Sequence, residues 1–208
     1  MGNWSCSLET MVKKMKKILL LGATGFIGQN LIEYLSHYPD LYEILAPNHQ
    51  NLDITIEDNV KYYLEKNSID VVIHAAVYNP RVKNNLFYPT DELETNLRMF
   101  YNIERYSNLY GKMIYFGSGA EFDKSHDICS VAEDDFGNGV PVLNDYGLYK
   151  YIIGKVIKNS NNIVNLRVFG VFGKYENWKT TFISGACCKA LKGLPITIRR
   201  TVFLIIYI

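Results

Sequence analysis

Short apolar runs alternate with longer amphipathic stretches along most of the chain. The apolar runs carry few charges, which is typical of strands that are buried on both faces of a parallel sheet. These runs predict strands at 17–22, 42–46, 71–74, 113–116 and 163–168. The stretches between them predict helices at 27–36, 57–66, 91–109 and 146–159. Because strands and helices alternate, the pattern predicts an α/β fold built on a doubly wound parallel sheet.

The alternation breaks down at both ends of the chain. Residues 1–14 are polar and aperiodic and lack the long apolar core of a signal peptide, so we expect a disordered leader there. After residue 172 the pattern changes to a helix at 179–192, a strand-like stretch at 196–198 and an uncharged segment at 201–208. We expect residues 15–177 to form the sheet domain and residues 178–208 to be a fragment of a further domain, cut off within an element.

The composition argues against several classes of function. The chain has 208 residues with 22 basic and 21 acidic side chains, and this balance disfavours a nucleic-acid-binding protein. Its longest apolar runs are too short to span a membrane. The four cysteines lack the spacing of a metal site. We therefore expect a cytoplasmic protein with reduced thiols, no metal, and no membrane or nucleic-acid partner.

A glycine-rich turn joins the first predicted strand to the first predicted helix. Residues 22–28 read Gly-Ala-Thr-Gly-Phe-Ile-Gly. In such a turn, the first glycine permits the tight bend, the second lets backbone N–H groups approach a pyrophosphate, and the third lets helix and strand pack closely. The helix N-terminus then presents unpaired donors and the positive end of its dipole to the phosphate. The segment predicts a dinucleotide site; the alternative is a purely structural glycine turn.

The glycine segment, with its spacing, resembles the extended short-chain dehydrogenase/reductase superfamily, in its NAD-dependent epimerase/dehydratase branch. The resemblance covers roughly residues 16–173. It implies a Rossmann fold that binds NAD or NADP, followed by a smaller substrate domain of which residues 178–208 would be the start. The end of the second predicted strand, residues 45–48, has no acidic residue and no arginine to select the cofactor, and only His49 is near. The choice between NAD and NADP stays open.

A tyrosine four residues before a lysine carries the chemistry that such an enzyme needs. Hydride transfer at a carbonyl carbon requires a proton donor, and a lysine one helical turn away can lower the high pKa of a tyrosine. Position selects Tyr146 and Lys150, because Asn144 or Asp145 would cap their helix at the carboxyl end of the sheet. The pattern itself is not specific, since it occurs four times: Tyr62 with Lys66, Tyr146 with Lys150, Tyr151 with Lys155, and Tyr175 with Lys179.

The resemblance extends to further site residues. Residues 115–122 resemble the family's catalytic serine/threonine segment, which assigns the substrate-orienting hydroxyl to Ser118, 28 residues before Tyr146. Asp53 matches an aspartate that lies beside the adenine; the alternative is a helix-leading cap. The implied catalytic residues are Ser118, Tyr146 and Lys150. The implied cofactor-binding residues are Gly22, Thr24, Gly25, Phe26, Ile27, Gly28, Asp53, Ile54, His74, Ala75, Ala76, Tyr146 and Lys150.

The implied activity is that of an NAD(P)-dependent oxidoreductase or epimerase acting on a nucleotide-linked sugar. Gly119 and Ala120 follow Ser118, where the 4,6-dehydratases carry an Asp-Glu pair, so water loss is disfavoured. Reduction of a keto-sugar and transient oxidation during 4-epimerisation both stay open, as does homodimerisation. The competing hypothesis is a truncated, inactive NAD(P)-binding remnant or a redox-sensing module.

Overall fold

The computed structural model describes residues 14–79, 91–122, 131–137 and 144–197. Residues 1–13 of the predicted leader and the apolar segment 201–208 lie outside this part of the chain. The described residues form one sheet of five parallel strands in the order β2-β1-β3-β4-β5. The strands are β1 (Lys16–Leu21), β2 (Tyr42–Leu45), β3 (Ile69–His74), β4 (Tyr110–Ser118) and β5 (Ile163–Val168). The predicted parallel sheet is confirmed.

In the part of the chain described, five helices accompany the sheet, and the first four of them pack on its two faces. They are α1 (Phe26–Leu35), α2 (Glu57–Asn67), α3 (Glu92–Glu104), α4 (Asp145–Lys158) and α5 (Phe182–Leu191). Along β1, Ile18 and Leu20 pack under α1, whereas Leu19 and Leu21 belong to the larger core on the opposite face. Alternate residues of one strand are thus buried on opposite faces, which is why its sequence is apolar throughout. None of the described helices is long and apolar enough to cross a membrane.

Most boundaries differ from the predicted ones by a few residues. The predicted helix 179–192 is α5, which spans only Phe182–Leu191, and residues 196–197 of the predicted strand-like stretch lie outside any strand.

Two further differences have a visible cause. The predicted helix 91–109 is wrong at its end, because α3 stops at Glu104 and Ser107–Leu109 forms a 3-10 turn. Asn162 donates a hydrogen bond to the Ser107 carbonyl, which holds the chain in that turn. Strand β4 begins at Tyr110, earlier than predicted, because Lys112 pairs with Val71 of β3 through the backbone although its side chain is polar.

The carboxyl ends of β1 and β3 are the switch point of the sheet, since the chain runs from β1 to β2 on one side and later to β3 on the other. Ligands of open α/β sheets bind at this point. Asn96 of α3 stabilises the chain just beyond β3: its side chain accepts from the Tyr78 amide at 3.0 Å and donates to the Tyr78 carbonyl at 2.8 Å. These bonds give Asn96 a structural role and fix the chain that leaves the switch point.

Candidate active site

The turn between β1 and α1 fits closely against the end of β3. Gly22 adopts a φ of +81°, and a Cβ at this position would lie 2.5 Å from the Ala76 nitrogen. A Cβ on Gly28 would lie 2.2 Å from the Gly22 carbonyl oxygen. Neither overlap can be relieved by a side-chain movement, because both contacts are with backbone. The first and third glycines therefore allow β1, α1 and β3 to meet at the switch point.

Gly25 lies in a different environment from the other two glycines of the turn. A Cβ there would meet only the Gly22 carbonyl oxygen, at 3.3 Å, and Gly25 and Thr24 are exposed. Gly25 is the N-cap of α1 and no side chain caps the helix. The first N–H groups of α1, from Phe26 onwards, thus lack helical acceptors, and the turn before them is exposed at Thr24 and Gly25. A pyrophosphate group fits this arrangement of donors and positive helix dipole.

Asp53 is engaged within its own loop. Its Oδ1 accepts hydrogen bonds from the Thr55 amide at 2.9 Å and the Thr55 hydroxyl at 2.6 Å, and its Oδ2 lies 3.5 Å from His49 Nε2. Burial opposes ionisation of the carboxyl, but the Thr55 hydrogen bonds outweigh it and lower the pKa of Asp53. Helix α2 begins later, after Ile56, so the alternative role of a helix cap is wrong.

His74 is the last residue of β3 and is buried. Its ring meets the Tyr115 ring edge-on, with centroids 5.4 Å apart, and neither ring nitrogen has a hydrogen-bond partner among the described residues. Burial, together with the nearby charge of Lys150, lowers the pKa of His74 to about 3. The ring is therefore neutral at physiological pH, which fits a lining role better than that of a general base.

Ser118 ends β4 and begins a 3-10 turn, Gly119–Glu121. Its hydroxyl oxygen accepts a hydrogen bond from the Ala120 amide at 3.1 Å, so the O–H group is left to donate. Its own amide donates to Glu121 Oε1 at 2.9 Å. The main chain of Ser118 is thus fixed at the carboxyl end of a central strand, where ligands of this sheet type bind.

Tyr146 and Lys150 lie on consecutive turns of α4. The Asn144 side chain accepts from the Gly147 amide at 2.7 Å, so the predicted cap is confirmed and Tyr146 lies in the first turn. Lys150 is only 3% exposed, and its Nζ donates to the Tyr115 hydroxyl at 3.1 Å and to the Phe116 carbonyl at 2.5 Å. Burial lowers the pKa of Lys150 to about 8, although the charge of Glu121 partly opposes this effect.

The three other Tyr-x-x-x-Lys pairs differ from this one in burial. Lys66, Lys155 and Lys179 are all exposed. Tyr151 points to Phe136, with ring centroids 5.5 Å apart, and Lys155 lies above the Tyr151 ring. Tyr175 has a φ of +71° and lies outside the described helices. Lys150 is the one lysine of the four that the fold buries against the end of β4.

Sequence reasoning missed a buried polar group beside this pair. Glu121 is 1% exposed as a residue, and its carboxylate accepts hydrogen bonds from Asn165 Nδ2 at 2.9 Å and from Arg167 Nε at 2.7 Å. Both donors belong to β5. The signal was present in the spacing of Ser118 and Glu121, which is that of a capping box. No group of three His, Cys, Asp or Glu side chains within the described ranges could hold a metal ion.

Three relatives illustrate what the chain is similar to. It is 33% identical over 90 residues to GDP-L-fucose synthase of Azorhizobium caulinodans, covering 43% of this chain and 28% of that protein. It is 25% identical over 188 residues to ADP-L-glycero-D-manno-heptose-6-epimerase of Cupriavidus pinatubonensis, covering 82% and 55%. The structure of a GDP-L-fucose synthetase from Naegleria fowleri bound to NADP superposes with a TM-score of 0.70 at 19% identity, covering 86% and 58%.

The chain matches only part of each relative: between 28% and 58% of the length of the three proteins named. The solved structure supports the fold, a Rossmann-like α/β sheet, which agrees with the strand order described above. The family described as the NAD dependent epimerase/dehydratase family matches residues 18–202, nearly the whole chain. The chain therefore belongs to the NAD-dependent epimerase/dehydratase family of enzymes, whose cofactor is NAD or NADP.

Proposed function

We propose that this protein is an NAD(P)-dependent oxidoreductase or epimerase that acts on a nucleotide-linked sugar by hydride transfer at a carbinol or keto carbon. The proposal rests mainly on the burial of Lys150 against the Phe116 carbonyl. Lys150 lies one helical turn after Tyr146 on α4, and Phe116 lies two residues before Ser118, the last residue of β4. This arrangement lies at the same edge of the sheet as the glycine turn.

The residues of the glycine turn fit the dinucleotide. The pyrophosphate would bind at the exposed turn formed by Thr24 and Gly25, where it would accept hydrogen bonds from the N–H groups of Phe26 to Gly28. His74, Ala75 and Ala76, at the end of β3, would line the path from there towards Tyr146. When bound, NAD(P) supplies or accepts the hydride.

The chain's own residues would manage the proton. Tyr146 would donate a proton to the substrate oxygen during reduction and accept it during oxidation. Lys150, with its pKa lowered to about 8, remains mostly protonated at neutral pH and would stabilise the negative charge that develops on the Tyr146 oxygen. Ser118 would donate its hydroxyl hydrogen to the same substrate oxygen and orient it.

The substrate class follows from the relatives and the reaction type from the residues beside Ser118. The relatives named above are a GDP-sugar synthase and an ADP-sugar epimerase. Gly119 and Ala120 provide no acid or base for water loss. These observations favour redox at a single carbon, as net reduction or as part of an epimerisation.

The test compares Tyr146→Phe with Tyr151→Phe in the full-length protein. Each variant is incubated with reduced cofactor and a panel of nucleotide-linked 4-keto sugars, and the loss of nicotinamide absorbance is followed. Tyr146→Phe should lower kcat by about 10²-fold or more with unchanged cofactor affinity, whereas Tyr151→Phe should leave kcat nearly unchanged. A fully active Tyr146→Phe would contradict the assignment. Cofactor binding without turnover by the wild-type protein on any substrate would favour the redox-sensing module.

A further inference from the structure

A buried carboxylate lies beside the candidate active site without a role in the chemistry described above. Glu121 has a side chain with no exposed surface, and its Oε1 accepts the amide hydrogen of Ser118 at 2.9 Å. Asn165 donates to both carboxylate oxygens, at 3.2 and 2.9 Å, and Arg167 Nε donates to Oε2 at 2.7 Å. Burying a carboxylate is costly, so such a group persists where several donors compensate it.

The backbone around Glu121 leaves space for this carboxylate at two glycines. A Cβ on Gly117 of β4 would lie 2.3 Å from Glu121 Oε1. A Cβ on Gly154 of α4 would lie 2.7 Å from Glu121 Oε2. Gly154 is one helical turn beyond Lys150 and lies on the same face of α4. The carboxylate therefore occupies the position where β4, β5 and the helix that carries Tyr146 and Lys150 meet.

We infer that Glu121 is a positioning residue, whose carboxylate is held by Asn165 and Arg167, fixes the main chain of Ser118, and keeps that serine in register with Tyr146 and Lys150 on α4. The inference rests on the proposed function of these three residues. It adds to that function a group that never touches substrate but sets the direction of the Ser118 hydroxyl.

Charge gives the carboxylate a second effect on the same site. Among the described residues, the titratable groups that face Lys150 are the phenols of Tyr115 and Tyr149, the neutral His74 ring and Glu121. Of these, Glu121 is the group whose negative charge raises the pKa of Lys150 against the effect of burial. Loss of the Glu121 charge should therefore lower the Lys150 pKa further.

Glu133 offers a matched control for Glu121. Its carboxylate also pairs with the Arg167 guanidinium, but its side chain is 70% exposed and it is not among the hydrogen-bond partners of Ser118. Glu121→Gln and Glu133→Gln remove the same charge from the same arginine. Only the first of the two changes should affect Ser118 and Lys150.

The experiment follows both residues by NMR in the folded protein. In Glu121→Gln, the Lys150 Nζ titration should move to lower pH by about half a unit or more. The glutamine Nε2 cannot accept from Asn165 and Arg167, so the side chain loses bonds that hold its oxygen against Ser118, and hydrogen exchange of the Ser118 amide should become at least about tenfold faster. Glu133→Gln should change neither. The affinity for NADPH, measured by calorimetry, should stay within about twofold in both variants, because neither carboxylate contacts the glycine turn.

The outcomes separate the two proposals. An unchanged Lys150 titration and an unchanged Ser118 amide in folded Glu121→Gln would overturn the role of Glu121, whatever the protein does with NADPH. Absence of NADPH binding in the wild-type protein would instead overturn the proposed function. If Glu121→Gln does not fold, Glu121→Asp retains the charge but shortens the side chain. It should then preserve the Lys150 titration and lose the Ser118 protection, and retained protection would contradict the proposal.

Discussion

Lys150 carries a charge that is buried, and this burial lowers the stability of the folded protein. Its ammonium group is buried, and within the described ranges its hydrogen-bond acceptors are a phenol and a backbone carbonyl, with no carboxylate at ion-pair distance. Burial lowers its pKa from about 10.5 to about 8. Removal of a charged lysine from water lowers the stability of the folded state. The lysine that the proposed chemistry uses is therefore buried at a cost in stability.

This property predicts a pH dependence that can be measured without any substrate. Between pH 8 and 10.5 the unfolded chain holds the Lys150 proton and the folded chain does not, so stability rises with pH in this interval relative to a variant without the lysine. Lys150→Met should therefore be more stable relative to wild type at pH 7 than at pH 10. The difference in unfolding free energy between the two proteins should shift by roughly 2–3 kcal/mol over that range.

Chemical denaturation at a series of pH values provides the measurement, and Lys155→Met on the exposed side of α4 is the matched control. The control difference should not vary with pH by more than about 0.5 kcal/mol. A Lys150→Met difference as flat as that of the control would show that Lys150 titrates normally.

At the scale of the element, the glycine turn divides into a packing part and a binding part. Gly22 and Gly28 are needed because a Cβ would overlap backbone at 2.5 and 2.2 Å, whereas a Cβ on Gly25 would lie 3.3 Å from the Gly22 carbonyl oxygen, a tight contact that a small shift relieves. The sequence motif already predicts a packing role for the first and third glycines and a phosphate-facing role for the second. In the structure, Gly22 and Gly28 are required for close packing, whereas Gly25 is exposed.

The division predicts opposite results for two alanine substitutions. Gly28→Ala should lower the unfolding free energy by about 2 kcal/mol or more, because helix α1 must move away from Gly22. Gly25→Ala should stay within about 1 kcal/mol of wild type, since its backbone angles, φ −78° and ψ 174°, suit any residue. Urea unfolding measures both. Equal losses in the two variants would contradict the division.

Sequence patterns predicted the elements better than the contacts between them. The apolar runs placed all five strands, and the Asn144 cap placed Tyr146 in the first turn of α4. The site of Glu121 depends on β5 pairing beside β4 and on space left at Gly117 and Gly154, and no local pattern reports either. The helix predicted over 91–109 failed at its end because a turn held by Asn162 is a tertiary contact.

For the whole molecule, the topology explains why the candidate site residues come from distant segments. Because all five strands are parallel, the glycine turn, the end of β3 and the end of β4 share one edge of the sheet. The switch of sides after β2 places β1 next to β3. Residues 22–28, 74–76, 118 and 146–150 are thereby brought to that edge. The family match over residues 18–202 agrees with this arrangement.

The central claim, that this edge binds a nicotinamide dinucleotide through the glycine turn, is tested most directly by calorimetric titration of NADH and NADPH into wild-type protein and Gly25→Val. We expect saturable binding of at least one cofactor to the wild type. The valine variant should bind at least about tenfold more weakly, with a Tm close to that of wild type, because its side chain enters the pyrophosphate position. Equal affinity of the two proteins, or no binding by a folded wild type, would contradict the account.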